Sequence, residues 1–244
     1  MQVSIVIPAK NEQAHLPDLF ASLKQQSFRD YEVIVADAHS TDRTRQIATE
    51  FGARIVDGGL PGIGRNRGVE VAQAERIIFF DADILLPHPN FLADCLAECE
   101  RRTLDVATCR VKPHEGNTLD HLMHGAYNAY TIATEKFLPH VAGFCFFTTR
   151  TVHQAIGGFN EDILLAEDHD YARRAKKAGF HTGILRCHTV PVSIRRLEKE
   201  GRFKLAAKYA MAEVLMLTRG PLKRESMPFD YEFAKFSGDP KERG

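Results

Sequence analysis

IIFFDADILLP, residues 77–87, sets four apolar side chains, Ile77 to Phe80, directly against two carboxylates, Asp81 and Asp83, with only Ala82 between them. A short, β-rich apolar run of this kind reads as a strand buried on both faces. Such a strand does not end on like charges unless something positive waits there, because two carboxylates this close repel.

Working outward, VSIVI (3–7), YEVIVA (31–36), ARIV (53–56) and RIIFF (76–80) alternate with helical patterns. Asn11 or Glu12 opens the first helix, with Leu16, Leu19, Phe20 and Leu23 on one side. Thr41-Asp42 caps a second through Phe51, and Gly64 leads into a third that carries Val69 and Val71. Apolar strands alternating with helices predict an α/β fold, a Rossmann-like, mostly parallel central sheet flanked by helices. Ligands bind such sheets beyond the carboxyl ends of the strands, where Asp37, Asp81 and Asp83 stand.

The second half predicts a helix over 90–102 and a strand over 105–111. A longer amphipathic helix follows in TLDHLMHGAYNAYTIATEKFL (118–138), with Leu119, Leu122, Met123, Ala126, Tyr127 and Tyr130 at helical spacing. Next come a strand over 141–149, a short helix capped by Thr151 and ending at Gly157-Gly158, a helix from Glu167 to Ala178, a strand over 181–187 and a last helix over 197–217. No repeat or low-complexity linker divides the chain. One domain over 1–194 with a basic helical extension over 195–244 is expected.

The 244 residues are enough for a core that folds alone. No apolar run approaches the roughly 18 residues of a membrane-spanning helix, and MQVSIVIPAK has no signal-peptide shape, so a cytoplasmic protein is expected. The cysteines, 95, 99, 109, 145 and 187, are odd in number and form no CxxC, which fits free thiols; Cys95 and Cys99 share a helix face as small hydrophobes. Net charge is zero, yet residues 195–224 hold nine Lys/Arg against three Glu. That excess points to an anionic partner at this end, and no nucleic acid is expected.

Four motifs carry chemistry. The Asp81–Asp83 pair suits a divalent cation that bridges to phosphate oxygens, although two solvated aspartates in a turn look the same in sequence. Asp37 at a strand end is placed to accept a hydrogen bond from a nucleobase N–H, while Ser40 and Asp42 read as helix caps. In LPGIGRNRGVEVA (60–72) the glycines at 62, 64 and 68 permit close backbone approach, and Arg65 is placed to meet a base or phosphate. In LAEDHDYARRAKKAGF (165–180), Glu167, Asp168 and Asp170 occupy a first helical turn, where acids are favoured whatever their function, and a carboxylate there that faces a cleft suits a general base. PAKNEQAH after the first strand is no GxGxxG, which argues against a dinucleotide oxidoreductase.

Taken in order, SIVIPAKNE, D…STD.T, GRNRG, FFDAD, GGF and ED resemble the inverting family 2 glycosyltransferases of the GT-A fold over about residues 3–180. The resemblance implies a nucleotide-diphosphate sugar as donor, with Pro8, Asp37, Arg65 and Asp81 at the nucleotide. It implies Mg²⁺ or Mn²⁺ on Asp81 and Asp83, with His188 as a third ligand, and Asp168 as the base. Glu167, Arg195 and Arg196 are then candidates for diphosphate or acceptor contacts. The family pattern DDGSTD is here Asp37-Ala38-His39-Ser40, one acid and the glycine short, which leaves uracil or guanine as the base. Beyond Arg195 a basic, partly apolar helix either packs on the core or meets an anionic membrane surface carrying a lipid-linked acceptor. The rival reading is a sugar-nucleotide-binding module without turnover, which needs no base. A DxD phosphatase of the haloacid-dehalogenase type is disfavoured, since its pair follows the first strand.

Overall fold

In a computed structural model, which describes residues 2–163, 166–194, 197–198 and 201–220, seven strands form one sheet in the order β3-β2-β1-β4-β6-β5-β7. These are β1 Val3–Ala9, β2 Tyr31–Asp37, β3 Arg54–Asp57, β4 Arg76–Phe80, β5 Val106–Pro113, β6 Cys145–Thr149 and β7 Thr182–Val192. The helices are α1 Leu16–Lys24, α2 Thr44–Phe51, α3 Pro61–Val71, α4 Phe91–Arg101, α5 Thr118–Thr134, α6 Arg150–Ala155, α7 Glu167–Lys177 and α8 Arg202–Arg219. β1 pairs parallel with β2 and β4, β2 with β3 and β5 with β7, while β6 runs antiparallel between β4 and β5. The reversal at β6 lets the segment just before it arrive beside the carboxyl end of β4, where Asp81 N–H donates to Phe144 O at 2.9 Å.

Both faces of the sheet are covered, which is why the strands lack a polar alternation. Ile5, Ile7, Val33, Val35 and Phe80 pack with Leu16, Phe20 and Phe91 beneath α1, α2 and α4. Val6, Ile34 and Phe79 face the other way, against Val69, Phe146, Phe159 and Tyr171 on the side of α3 and α7. Phe79 and Phe80 thus anchor opposite layers, and the chain leaves β4 fixed on both sides as it reaches Asp81. The five cysteines are free thiols; Cys95 and Cys99 are both buried on α4, as expected.

Several boundaries differ from the sequence expectation. The first helix begins at Leu16 rather than Asn11 or Glu12, because residues 11–13 are laced to the loop after β2. Asn11 N–H donates to Ser40 Oγ at 2.9 Å, Thr41 N–H to Asn11 Oδ1 at 2.9 Å and Glu12 N–H to Thr44 Oγ1 at 2.8 Å. α3 starts at Pro61, so Gly64 lies inside the helix. Thr149, not Thr151, caps α6 by accepting from Val152 N–H. The last helix is interrupted at Gly201, whose φ of 87° is left-handed, and α8 resumes at Arg202.

The largest departure concerns α5. The stripe of Leu119, Leu122, Tyr127 and Tyr130 faces outward instead of packing on the sheet, with Leu122 68% exposed. What α5 turns inward is its capping Asp120, Thr131 and the amide of Asn128, which bonds both Val111 N–H and Val111 O on β5.

α3 owes its closeness to β1 to Gly68. A Cβ there would lie 2.2 Å from Val6 Cγ1, inside the core. Gly68→Ala is therefore expected to lower the unfolding free energy by about 1–3 kcal/mol through overpacking, although alanine gains about 1 kcal/mol over glycine in an open helix. Gly125→Ala on α5, with no heavy atom within 4 Å of the added methyl, is the control and should stabilise. Urea unfolding of both variants checks the pair, and a stabilised Gly68→Ala would contradict the close packing of α3.

Candidate active site

The cation at the end of β4 is Arg65. Its guanidinium, 3% exposed, donates to Asp81 Oδ1 at 3.0 Å, Glu167 Oε1 at 2.7 Å and Gly143 O at 3.1 Å, and it lies over the Phe159 ring. Burial opposes the charge on Arg65, but Asp81, Glu167 and Asp168 outweigh it and hold the guanidinium firmly protonated. Desolvation pushes the Asp81 carboxyl above its ordinary range, with Asp83 and Asp168 adding repulsion and Arg65 opposing both. Since the Asp81 side chain is still 41% exposed, water moderates that push. Glu167 is raised for the same reason, by burial first and Asp168 next, against the pull of Arg65. The sequence expectation for Arg65 is corrected here: it faces inward onto protein carboxylates and a carbonyl, not outward to a base or phosphate. Pro8 is likewise buried within β1, beneath Gly64 of α3.

Asp37 closes β2 two strands from β4. Its side chain is fully buried; Oδ2 accepts from Ser40 N–H at 3.2 Å and from Arg45 at 3.0 Å, and Oδ1 is buried with no partner within the protein. A buried carboxylate oxygen left over in this way asks for a donor, and a ligand N–H supplies one. Arg45 was not picked out in the sequence; it is the second residue of α2, eight residues from the acid it pairs with.

Asp168 opens α7. Its Oδ2 accepts from Gly143 N–H at 2.7 Å and its Oδ1 from His169 N–H at 2.8 Å. A side chain at 143 would meet Asp168 Oδ2 at 2.9 Å and the Arg65 guanidinium at 3.1 Å, so only glycine lets the three meet. Gly143 thus joins both acidic groups through one residue, its N–H donating to Asp168 and its C=O accepting from Arg65. Behind Asp168, Glu213 of α8 lies 3.4 Å from His140 Nε2 and also bonds Arg173. Burial resists ionisation of Glu213, but the neighbouring His140 and His169, with Arg173, hold it well below the usual carboxylate range.

Asp83 is exposed and lines a cavity of about 820 Å³ with His114, Asn117, Ser193, Glu198 and Arg202. The donors at this end are hard carboxylate oxygens, which suit Mg²⁺ or Mn²⁺ bound through one or two carboxylates and substrate phosphates. Asp81 keeps Oδ2 for such an ion, since Oδ1 is committed to Arg65. His188 is not brought to this pair. Its Nε2 lies 2.8 Å from Asp94 Oδ2, and its ring packs on His88 and Phe91. Arg195 and Arg196 lie outside the described residues.

Residues 4–157 match the family model described as Glycosyl transferase family 2. The chain belongs to this family. It is 39% identical over 219 residues to the 4,4'-diaponeurosporenoate glycosyltransferase of Staphylococcus haemolyticus (strain JCSC1435), a match that covers 82% of this chain and 55% of that protein. The chain therefore spans about half the length of that relative. Among solved structures it resembles the mannosyltransferase PcManGT from Pyrobaculum calidifontis in complex with GDP-Man and Mn²⁺, at a TM-score of 0.69 and 20% identity, over 88% of this chain and 62% of that one. It also resembles S. aureus TarS 1–349 in complex with UDP-GlcNAc, at a TM-score of 0.66 and 21% identity, over 89% and 65%. These likenesses establish the GT-A fold expected from the motif order.

Within this family 2 chain, Arg65 is the testable centre of the site. Arg65→Met removes the guanidinium and leaves largely buried Glu167 and partly solvated Asp81 without their shared cation. At neutral pH the loss is expected to be about 3 kcal/mol, the lower end for breaking a buried pair because Asp81 is partly solvated. Both carboxyls already hold protons more tightly folded than unfolded, and more so without Arg65. Their penalty is absent below the unfolded value near ~4 and grows as pH rises through the raised folded values. The variant should thus recover stability between about pH 7 and about pH 5 relative to wild type. Urea titrations at both pH values test this; an equal deficit at each would assign the loss to packing on Phe159.

Proposed function

We propose that this chain transfers a sugar, with inversion, from a nucleotide-diphosphate donor, with UDP-sugars first and GDP-sugars second, to an acceptor hydroxyl or a lipid-linked phosphate. The observation that carries the reading is the joining of Asp168 and Asp81 through Gly143 and Arg65, which supports a base and a diphosphate site side by side. The orphaned Oδ1 of Asp37 supports a nucleobase N–H as its donor, two strand spacings or about 10 Å from β4. The names of the solved neighbours, bound to UDP-GlcNAc and to GDP-Man with Mn²⁺, support the donor class.

The acceptor O–H attacks the anomeric carbon on the face opposite the diphosphate, and the carbon–oxygen bond to the diphosphate breaks. Asp168 takes the acceptor proton on a carboxylate oxygen, its orientation held by Gly143 N–H. Glu167 and Arg65 brace α7 against β4, so the base keeps its distance from the bond that breaks. Asp83 and the free oxygen of Asp81 would hold Mg²⁺ or Mn²⁺, which supplies charge neutralisation on the departing diphosphate. A lipid-linked acceptor would be met at a membrane surface.

The reading is tested in one series. Calorimetric binding of UDP and GDP should strengthen with Mn²⁺ and weaken in Asp83→Ala. Asp168→Asn should bind donor as wild type does while slowing transfer, or donor hydrolysis, by at least ~100-fold, as expected for a lost general base. Unchanged turnover in that variant would remove Asp168 from the chemistry. Donor binding with no turnover in the wild type, across a panel of acceptors, would favour a binding module instead.

A further inference from the structure

The exposed large hydrophobics of the described residues fall on two segments, α5 with the turn that follows it, and α8. Phe137 is 84% exposed, Phe203 76% and Leu122 68%, so these side chains protrude rather than line a groove. On α8, Leu205, Ala212 and Met216 are buried, and at 100° per residue Phe203, Ala207, Ala210, Met211 and Val214 point the opposite way. The outward side of this helix is therefore as apolar as its core side, the reverse of an ordinary surface helix. Lys204 borders that face, and Glu213 is turned inward onto His140 and Arg173. α5 repeats the pattern, with Leu119, Leu122, Ala126, Ala129 and Ala133 outward and Lys136 just beyond its end. The two helices are tied together where Arg202 donates from Nε to Asp120 Oδ1 at 2.6 Å and from a terminal amine to Oδ2 at 2.9 Å.

We propose that the outward faces of α5 and α8 form a single platform that seats on an anionic membrane surface, apolar side chains entering the headgroup boundary and lysines meeting the lipid charge. Its lysines and alanines favour a bilayer over a protein partner, although Phe and Met suit either. Protein interfaces are depleted in lysine and alanine, which are the residues that surround the protruding Phe and Leu side chains here. Interfacial helices combine Lys with Phe and Leu in this way, and no described helix is long and apolar enough to span a membrane. This seating deepens the reading of a lipid-linked acceptor and rests on it for its purpose, but not for its test.

The test is co-sedimentation of the full chain, without donor, with phosphatidylcholine vesicles containing or lacking phosphatidylglycerol, at low and high salt. The wild type should pellet with the anionic vesicles. Lys204→Glu with Lys136→Glu should abolish the salt-sensitive share of binding. Leu122→Glu and Phe203→Glu, both at exposed positions, should each lower the partition coefficient about tenfold or more at either salt; unchanged melting temperatures confirm that they fold. Absence from every pellet at low salt, or undiminished binding by the two apolar variants, overturns the proposal. So does a wild-type dimer in analytical ultracentrifugation that Leu122→Glu dissociates, which would give the face to a second copy. Donor calorimetry is unaffected by each of these outcomes, so failure here leaves the transferase reading standing.

Discussion

The positive charge of Arg65 is what allows three carboxylates to share the cleft. Asp81 and Glu167 come from elements 86 residues apart in sequence, and each is destabilised as an anion by burial and by its acidic neighbours. A single guanidinium answers both because its planar fork reaches two acceptors at once, and the nitrogen that bonds Asp81 also donates to Gly143 O. Lysine, a point charge on a flexible stem, offers no such geometry. α3 can bring Arg65 there only because Gly68 lets the helix sink against Val6. The position of Asp168 is thus linked, through α3, to the packing of the first strand.

The sheet explains how these groups meet. Parallel strands β1, β2 and β4 send Asp37 and Asp81 to the same edge, but a purely parallel arrangement would leave α7 remote from them. The antiparallel β6 inserts its approach, Gly143 and Phe144, directly at the end of β4. That short segment accepts from Asp81 N–H, accepts from Arg65 and donates to Asp168. α8 completes the arrangement from behind, with Glu213 holding the histidines next to Asp168 and Arg202 fixing the helix to α5.

The strand-end acids were legible because burial on both faces writes itself as an uninterrupted apolar run, and a charge that stops such a run marks its end. Asp37, Asp81 and Asp83 all emerge where that logic placed them. Arg65 was visible as a cation in a glycine-rich stretch, yet the direction of its side chain was not, since nothing local says whether a helix turns it to the cleft or to the core. His188 failed for a related reason: a histidine near a strand end is free to pair with any acid the fold supplies, and α4 supplied Asp94. Arg45 and Gly143 gave no signal, because their importance lies wholly in partners distant in the chain.

Helix faces show the same division most plainly. The spacing of Leu119, Leu122, Tyr127 and Tyr130 determined that they share one side of α5, and the structure bears this out. Periodicity does not say which side of a helix meets protein, and here Asp120, Asn128 and Thr131 are the groups that do. The sequence by itself determined the alternation of strands and helices, the acids at the strand ends and the family pattern, all of which depend on neighbours within a few residues. Tertiary structure alone decided what neutralises Asp81, which residue orients Asp168 and which face of α5 is left outside. Those outcomes depend on hydrogen bonds and ion pairs between groups dozens of positions apart, and only the packed sheet brings such groups within 3 Å of one another.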